Sequence, residues 1–252
     1  MLTPMLQMAL DLLVHGLQHF INGEPLDLRL AILHMDQSIE LTLKERVRVG
    51  GKAVMKPGGK ESISLLDAYS KLDELGVIIH ERANLDLLHE QRNQIQHLFS
   101  SPDANTTRFH IDNALFFLAR FLSEELSIIL LDYVPPEVLA NDKLKHIEDI
   151  DKLRLLYESA ELNYKAKKYS DGISSLVAAV DLTIQYASEK KDIKLSASTT
   201  DELLNFAETN RILPKRAVST ARKIMELNDG NNLVSENEFL VLLAKFRSEA
   251  NI

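Results

Sequence analysis

The stretch LQMALDLLVHGLQHF, residues 6–20, has a leucine or phenylalanine at every third or fourth position. The repeating side chains are Leu6, Leu10, Leu13, Leu17 and Phe20. In an α-helix this spacing places them along one face, which can pack against the rest of the protein. Asn22-Gly23 follows, and this pair is typical of a helix C-terminus. The stretch therefore predicts an amphipathic helix that ends near residue 22.

The rest of the chain favours the same secondary structure. Gly and Pro are scarce, at 9 and 7 residues, and no alternation of apolar and polar residues is long enough for a sheet. Further helices are predicted over about residues 26–47, 64–75, 85–99 and 108–133. Ser64 and Asp67 resemble a capping box, and Pro135-Pro136 would stop the last of these helices. We therefore predict an all-α protein.

One segment between these helices is rich in glycine and lysine. It runs from Val49 to Glu61 and reads VGGKAVMKPGGKE, with no apolar periodicity. It lacks both the Walker spacing and a dinucleotide fingerprint after a strand, so a phosphate-binding role is the less favoured interpretation. We predict an exposed loop or a short hairpin.

Composition excludes several classes of protein. The formal net charge of -8 argues against wholesale non-specific binding to phosphate backbones or anionic lipid. The absence of cysteine excludes disulfides, thiol catalysis and thiolate-ligated metals. The N-terminal sequence MLTPMLQMAL has no cationic segment before its apolar residues, and no apolar run approaches the roughly 18 residues of a membrane span. We expect a cytoplasmic protein that does not contact a membrane.

The chain is long enough for two domains. Pro135-Pro136 is the predicted boundary, giving a helical bundle over residues 1–136 and a second helical domain over residues 137–252. Residues 32–43 read ILHMDQSIELTL and residues 173–184 read ISSLVAAVDLTI, a weak internal repeat. Each repeat follows another helical stretch, so we predict duplicated bundles. Two amphipathic helices that resemble each other only in composition are the alternative.

The chemistry is predicted to lie in the helix over residues 85–99. Leu85, Leu88, Ile95 and Phe99 form its apolar stripe, and Arg92 falls on the missing step of that stripe. A buried guanidinium must meet a carboxylate or line a cleft open to an anion, because leaving its charge without a partner is too costly.

Two neighbouring side chains suit acid–base chemistry on a phosphodiester. Asn93 and His97 are four residues apart on one ridge of the helix, whereas Arg92 and His97 are separated by about 140° around its axis. An imidazole can move a proton, and a guanidinium can stabilise the extra negative charge on a pentacoordinate phosphorus. Metal-free RNA cleavage needs these two groups, since the substrate's own 2′-hydroxyl is the nucleophile.

The motif Arg92-Asn93-Gln-Ile-Gln-His97 resembles the Arg-polar-x-x-x-His signature of the HEPN superfamily. The similarity extends over the first 135 residues, where AILHMDQSIELTLKERV is similar to the second helix of that family. The resemblance implies an antiparallel bundle of four or more helices. It also implies a metal-independent endoribonuclease without a cofactor, often a toxin or defence nuclease, with a composite active site in a homodimer. An antitoxin or nucleotidyltransferase partner is a further possibility that the resemblance raises.

The resemblance assigns roles to individual residues. His97 is the expected acid–base group, Arg92 the expected phosphate stabiliser and Asn93 an orienting polar group. Glu40 is the carboxylate expected to face Arg92 from the second helix, although Lys44 lies four residues on and could pair with Glu40 instead.

The second half departs from the pattern. The stretch from Arg222 to Asp229 has no histidine after its arginine, so a second HEPN-like bundle would be catalytically degenerate. The rival interpretation of the whole chain is a non-catalytic RNA- or protein-binding module. In that module Glu40 would neutralise Arg92 within one chain, and His97 would only pack against the fifth helix.

Three other histidines could in principle ligate a metal. His15 and His19 are four residues apart on one predicted helix, and His34 would lie near them in a bundle. No HExxH-type context accompanies them, which favours a surface or partly buried structural role. We therefore predict no metal site.

Overall fold

The computed structural model describes residues 2–144, 147–191, 193–197, 199–229 and 235–250. These residues contain eleven α-helices and no β-strand, which confirms the predicted all-α class. None of these helices combines the length and the apolar character that crossing a membrane would need. The chain divides into two compact units, Met1–Lys145 and His146–Ile252.

The division falls after residue 145, further along the chain than Pro135-Pro136. The segment after the two prolines belongs to the first unit because it packs there. Val138 and Leu144 are buried, and Lys143 Nζ donates to the carbonyl oxygen of Ile21 at 2.6 Å. This ammonium group thereby satisfies a carbonyl at the end of the first helix.

The first unit is built from six helices. They are α1 (Pro4–Asn22), α2 (Pro25–Val49), α3 (Leu65–Glu74), α4 (Arg82–Leu98), α5 (Ala104–Leu126) and the single turn α6 (Pro136–Leu139). Helix α2 is central, since α1, α3, α4 and α5 all pack against it. Its buried residues therefore lie on more than one face and include polar ones, among them Asp36, Lys44 and Glu45.

Most helix starts follow local sequence signals. Thr3 caps α1 by accepting a hydrogen bond from the Leu6 amide, and Gly23 ends that helix with a φ of 76°. The capping box predicted at Ser64 and Asp67 is confirmed at the start of α3. Local capping thus fixes both ends of α1 and the N-terminus of α3.

Helix α5 ends earlier than the sequence predicts. Ser127 takes a left-handed conformation with a φ of 56°, and the Ile128 amide donates back to the Leu122 carbonyl. This closure ends the helix at Leu126, and only a short 3-10 turn, Leu130–Tyr133, follows. The prediction that the helix continues to Tyr133 is therefore wrong.

The glycine-rich segment forms a short hairpin, as predicted. Met55 and Ser62 make an isolated antiparallel bridge, and Gly58 and Gly59 between them both have positive φ. The turn needs glycine because side chains rarely tolerate that conformation. The hairpin brings Ser62 close to the Lys44 side chain of α2, 2.9 Å from its Nζ.

The second unit is also helical. Its elements are α7 (Ile147–Lys165), α8 (Tyr169–Lys190), α9 (Thr200–Thr209), α10 (Lys215–Asp229) and α11 (Glu236–Glu249). Its core includes Tyr164 stacked on Phe239 with ring centroids 3.8 Å apart. The two similar stretches of the sequence lie in α2 and α8, each packed against the helix before it. Duplication of the two halves stays a prediction.

Candidate functional site

A pocket of about 510 Å³ opens between α2 and α4. Side chains of both helices and one residue of the hairpin form its wall. These residues are Leu33, His34, Asp36, Gln37, Glu40, Leu41, Lys44, Ser62, Arg92 and Gln96. Arg92 and Glu40, two of the predicted site residues, therefore line one cavity.

Arg92 lies on the pocket side of α4. Leu85, Leu88 and Ile95 are buried on the same helix, which confirms most of the predicted apolar stripe. Phe99 is 87% exposed, however, because it takes a left-handed conformation that ends the helix. Its predicted place in the buried stripe is wrong.

The carboxylate that pairs with Arg92 is Asp36. Arg92 Nε lies 3.4 Å from Asp36 Oδ2, and the Asp36 side chain is only 4% exposed. Arg92 Nη1 also donates a hydrogen bond to Asn93 Oδ1 at 2.8 Å. The guanidinium is thus held by two acceptors while 29% of its side chain stays accessible.

The expectation that Glu40 neutralises Arg92 is wrong. Glu40 instead accepts a hydrogen bond from Lys44 one turn further along α2, and Lys44 also donates to Ser62 Oγ. Lys44 is nearly buried, so its ammonium group needs a carboxylate close by. Asp36 lies one turn before Glu40 on the same helix and takes the role that the sequence assigned to Glu40.

His97 lies apart from this pocket. Its side chain is exposed and is not among the residues of the pocket wall, and it does not pack into the bundle as the binding-module interpretation expected. The separation follows from the angle of about 140° between Arg92 and His97 around α4. In one chain, Arg92 therefore lines the pocket and His97 does not.

His89 is a further residue of this site, although the spacing of the sequence did not fix the direction of its side chain. It lies on α4 with Nδ1 3.0 Å from Asp36 Oδ1, so Asp36 meets both His89 and Arg92. The hydrogen bond to Asp36 is the main cause that raises the pKa of His89 above its ordinary value, against the opposing effect of burial. The signal in the sequence was its position one turn before Arg92, toward the pocket.

The raised pKa of His89 predicts a pH dependence. We expect NMR titration of wild type to place its midpoint above the ordinary value of about 6.5, and Asp36→Asn to lower that midpoint. Because the folded-state pKa is the higher one, the stabilisation is complete below the unfolded-state pKa and is lost as pH rises through the folded-state pKa. The control is Asp73→Asn, a change at an exposed carboxylate outside this contact, which should leave the His89 midpoint unchanged. An unchanged His89 midpoint in Asp36→Asn would contradict the assignment.

Positive and negative charges are balanced around the pocket. Arg92 and Lys44 face Asp36 and Glu40, so an incoming anion must share Arg92 with Asp36. The exposed end of α4 is apolar instead, since Leu98 and Phe99 follow His97 and are 73% and 87% exposed. A charged pocket and an apolar helix end thus flank the motif.

The stretch from Arg222 to Asp229 lies on α10 of the second unit. Arg222 donates to Asn205 and Glu208, and its ion pair with Glu208 is exposed. That the second half is a catalytically degenerate bundle stays a prediction.

Among the described residues, His15, His19 and His34 are spaced closely enough to hold a metal ion. They lie where α1 and α2 pack together, and His34 also forms part of the pocket wall.

No family model, no curated protein and no solved structure matches this chain. The HEPN resemblance therefore stays a prediction.

Proposed function

We propose that the protein is a metal-independent endoribonuclease of the HEPN type that acts as a homodimer. In each of its two active sites, Arg92 of one subunit would work beside His97 of the other. The observation that carries the proposal is the position of Arg92, anchored by Asp36 yet partly accessible at an open pocket. A guanidinium in that position can bind a phosphodiester.

The proposed reaction uses groups that the two subunits would supply together. The His97 imidazole takes the proton of the 2′-hydroxyl, and the 2′-oxygen attacks the adjacent phosphorus. The bond from phosphorus to the 5′-oxygen breaks, and that oxygen takes up a proton from a protonated imidazole. Arg92 stabilises the extra negative charge on the pentacoordinate phosphorus. The products are a 2′,3′-cyclic phosphate and a 5′-hydroxyl end.

The exposed end of α4 supports a dimer. His97 is followed by Leu98 and Phe99, two large apolar side chains that are largely in solvent in one chain. A second copy packed against this end would cover them and would carry its own His97 toward the first subunit. The separation of Arg92 and His97 within one chain is then expected, because each active site takes its imidazole from the partner.

Cleavage in excess chelator tests the proposal. Wild type should cut mixed RNA, leave cyclic phosphate ends, and spare DNA of the same sequence because DNA lacks the 2′-hydroxyl. Mass analysis of the product termini measures the outcome. Intact RNA, ends with an open 3′-hydroxyl, or cleavage that stops when chelator is added would overturn the proposal.

One observation favours a second function, a non-catalytic RNA- or protein-binding module. Arg92 already has Asp36 and Asn93 as acceptors, so its charge is satisfied without a substrate. Such a module would retard RNA in a gel-shift assay without cutting it. That result would replace the nuclease proposal by this one.

A further inference from the structure

Three imidazoles meet where α1 and α2 form an antiparallel hairpin. His15 and His19 are one turn apart on α1, and His34 faces them from α2. Gly16 lies at this crossing, where a Cβ would stand at van der Waals distance, 3.4 Å, from the Ala31 carbonyl oxygen and from the His34 Cβ. The packing of α1 against α2 brings the three rings together.

The distances suit coordination by the three rings. Their centroids are separated by 4.7, 4.8 and 5.3 Å. One ring nitrogen from each lies within 4.8 Å of the others. Imidazole nitrogens bound to one tetrahedral zinc ion are about 3.4 Å apart, since each Zn–N bond is about 2.0–2.1 Å. Small rotations of the rings would close that difference.

One ring nitrogen of the cluster lacks a hydrogen-bond partner, and a bound metal ion would supply one. His34 Nδ1 is buried and has no hydrogen-bond partner. A buried polar nitrogen without a partner is costly and is rare in folded proteins. Coordination of a cation would satisfy this lone pair, and the aromatic stacking of the rings alone does not.

Asp27 supplies a carboxylate next to His19, of the kind that orients a metal-binding imidazole. His19 Nδ1 lies 2.5 Å from Asp27 Oδ1. A carboxylate on one ring nitrogen fixes the tautomer and leaves the other nitrogen, Nε2, free to bind a metal.

We propose that His15, His19 and His34 form a Zn²⁺ site, with Asp27 as the residue that orients His19. Three neutral nitrogen ligands suit a borderline cation such as Zn²⁺ and do not suit Mg²⁺ or Ca²⁺, which prefer oxygen. The fourth coordination position is left for water or another small ligand beside the exposed His15. This site differs from the prediction made from the sequence and is independent of the proposed ribonuclease activity.

Isothermal titration of the tag-free full-length protein with ZnCl₂, without RNA, tests the site. Wild type should bind a single Zn²⁺ per chain, and Co²⁺ in its place should give the intense visible absorption of a four-coordinate ion. His15→Gln and His34→Gln should each weaken binding by about 100-fold or more, and Asp27→Asn by about 10- to 100-fold. The control is His80→Gln, which removes an exposed histidine outside the cluster and should bind zinc as wild type does.

His15 is exposed, so His15→Gln should not disturb the fold. The test therefore does not depend on a substitution at His34, which is more buried. Circular dichroism in chelator checks that each variant is folded. The zinc-site proposal is wrong if wild type does not bind Zn²⁺, or if His15→Gln binds it with unchanged affinity. Because no RNA is present, such a failure leaves the ribonuclease proposal untouched, and failure of RNA cleavage leaves the zinc proposal untouched.

Discussion

Glu81→Gln is expected to lower the free energy of unfolding by about 3 kcal/mol, a large share of the stability of an ordinary domain. Arg120 on α5 is 2% exposed, and its Nε and Nη2 donate to the two carboxylate oxygens of Glu81 at 2.7 and 2.6 Å. Nη1 donates to Glu124 at 2.6 Å. Burial lowers the pKa of Arg120, but these two carboxylates outweigh it and raise that pKa.

The amide of glutamine keeps the shape of Glu81 but loses its charge. It also turns one of the two acceptors into a donor that faces the guanidinium, so the bidentate pair is broken inside the protein. Chemical denaturation of wild type and variant measures the difference. Removing both charges with Glu81→Leu and Arg120→Met should bring stability back to within about 1 kcal/mol of wild type, because the two buried charges leave together and the remaining carboxylate, Glu124, is 32% exposed.

The matched control is an exposed ion pair of the same unit. Lys52 Nζ lies 2.9 Å from Glu74, and both side chains are exposed. Glu74→Gln should change the free energy of unfolding by less than about 0.5 kcal/mol. Equal effects of Glu81→Gln and Glu74→Gln would show that burial does not decide the strength of the Arg120 pair.

Mixing two inactive variants should restore RNA cleavage if the proposed composite site is correct. Alone, His97→Ala should lose about 10²- to 10⁴-fold in rate, because the general base is removed. Arg92→Gln should lose about 10²- to 10³-fold with the loss of charge stabilisation. A mixed dimer contains one site with an intact Arg92 and an intact His97. Equal amounts of the two chains, exchanged to equilibrium, should then recover roughly a quarter of wild-type activity.

The controls for mixing separate catalysis from folding and from contamination. Each variant is purified identically and checked by circular dichroism, which matters for Arg92→Gln because the buried Asp36 loses its pairing with the guanidinium and retains the contact with His89. Two batches of His97→Ala mixed together should stay inactive. If wild type cleaves RNA but the mixed variants do not recover activity, Arg92 and His97 act within one chain and the composite site is contradicted.

Local sequence signals predicted much of the fold because they act within one or two turns of a helix. The Ser64 and Asp67 capping box and the glycine that ends α1 were confirmed in this way. The end of α4 was predicted to within one residue, because the polar stretch from Ser100 to Asn105 follows Phe99. The end of α5 at Leu126 was not predicted, since Ser127 takes a left-handed conformation that glycine usually marks and the apolar residues Ile128 to Leu131 continue past it.

The candidate site was less predictable because it depends on which helices meet. The stripe on α4 correctly predicted a core-facing Arg92, but its partner could lie at any acidic residue on the facing helix. Glu40 and Asp36 are one turn apart; in the structure Lys44 pairs with Glu40, and Asp36 meets Arg92. The spacing within α4 puts His89 one turn before Arg92, but it does not reveal that Asp36 of α2 is the partner of His89.

The hydrogen bond from Lys143 to the end of α1 determines where an N-terminal fragment of the protein can end. A fragment stopping at Pro136 would lose Lys143, which donates to the last carbonyls of that helix, together with the buried Val138 and Leu144. The hydrophobic surface that these two side chains cover would then face water. An N-terminal fragment that folds on its own should therefore extend to residue 145, so that the segment after the two prolines can cover the hydrophobic core of the first unit.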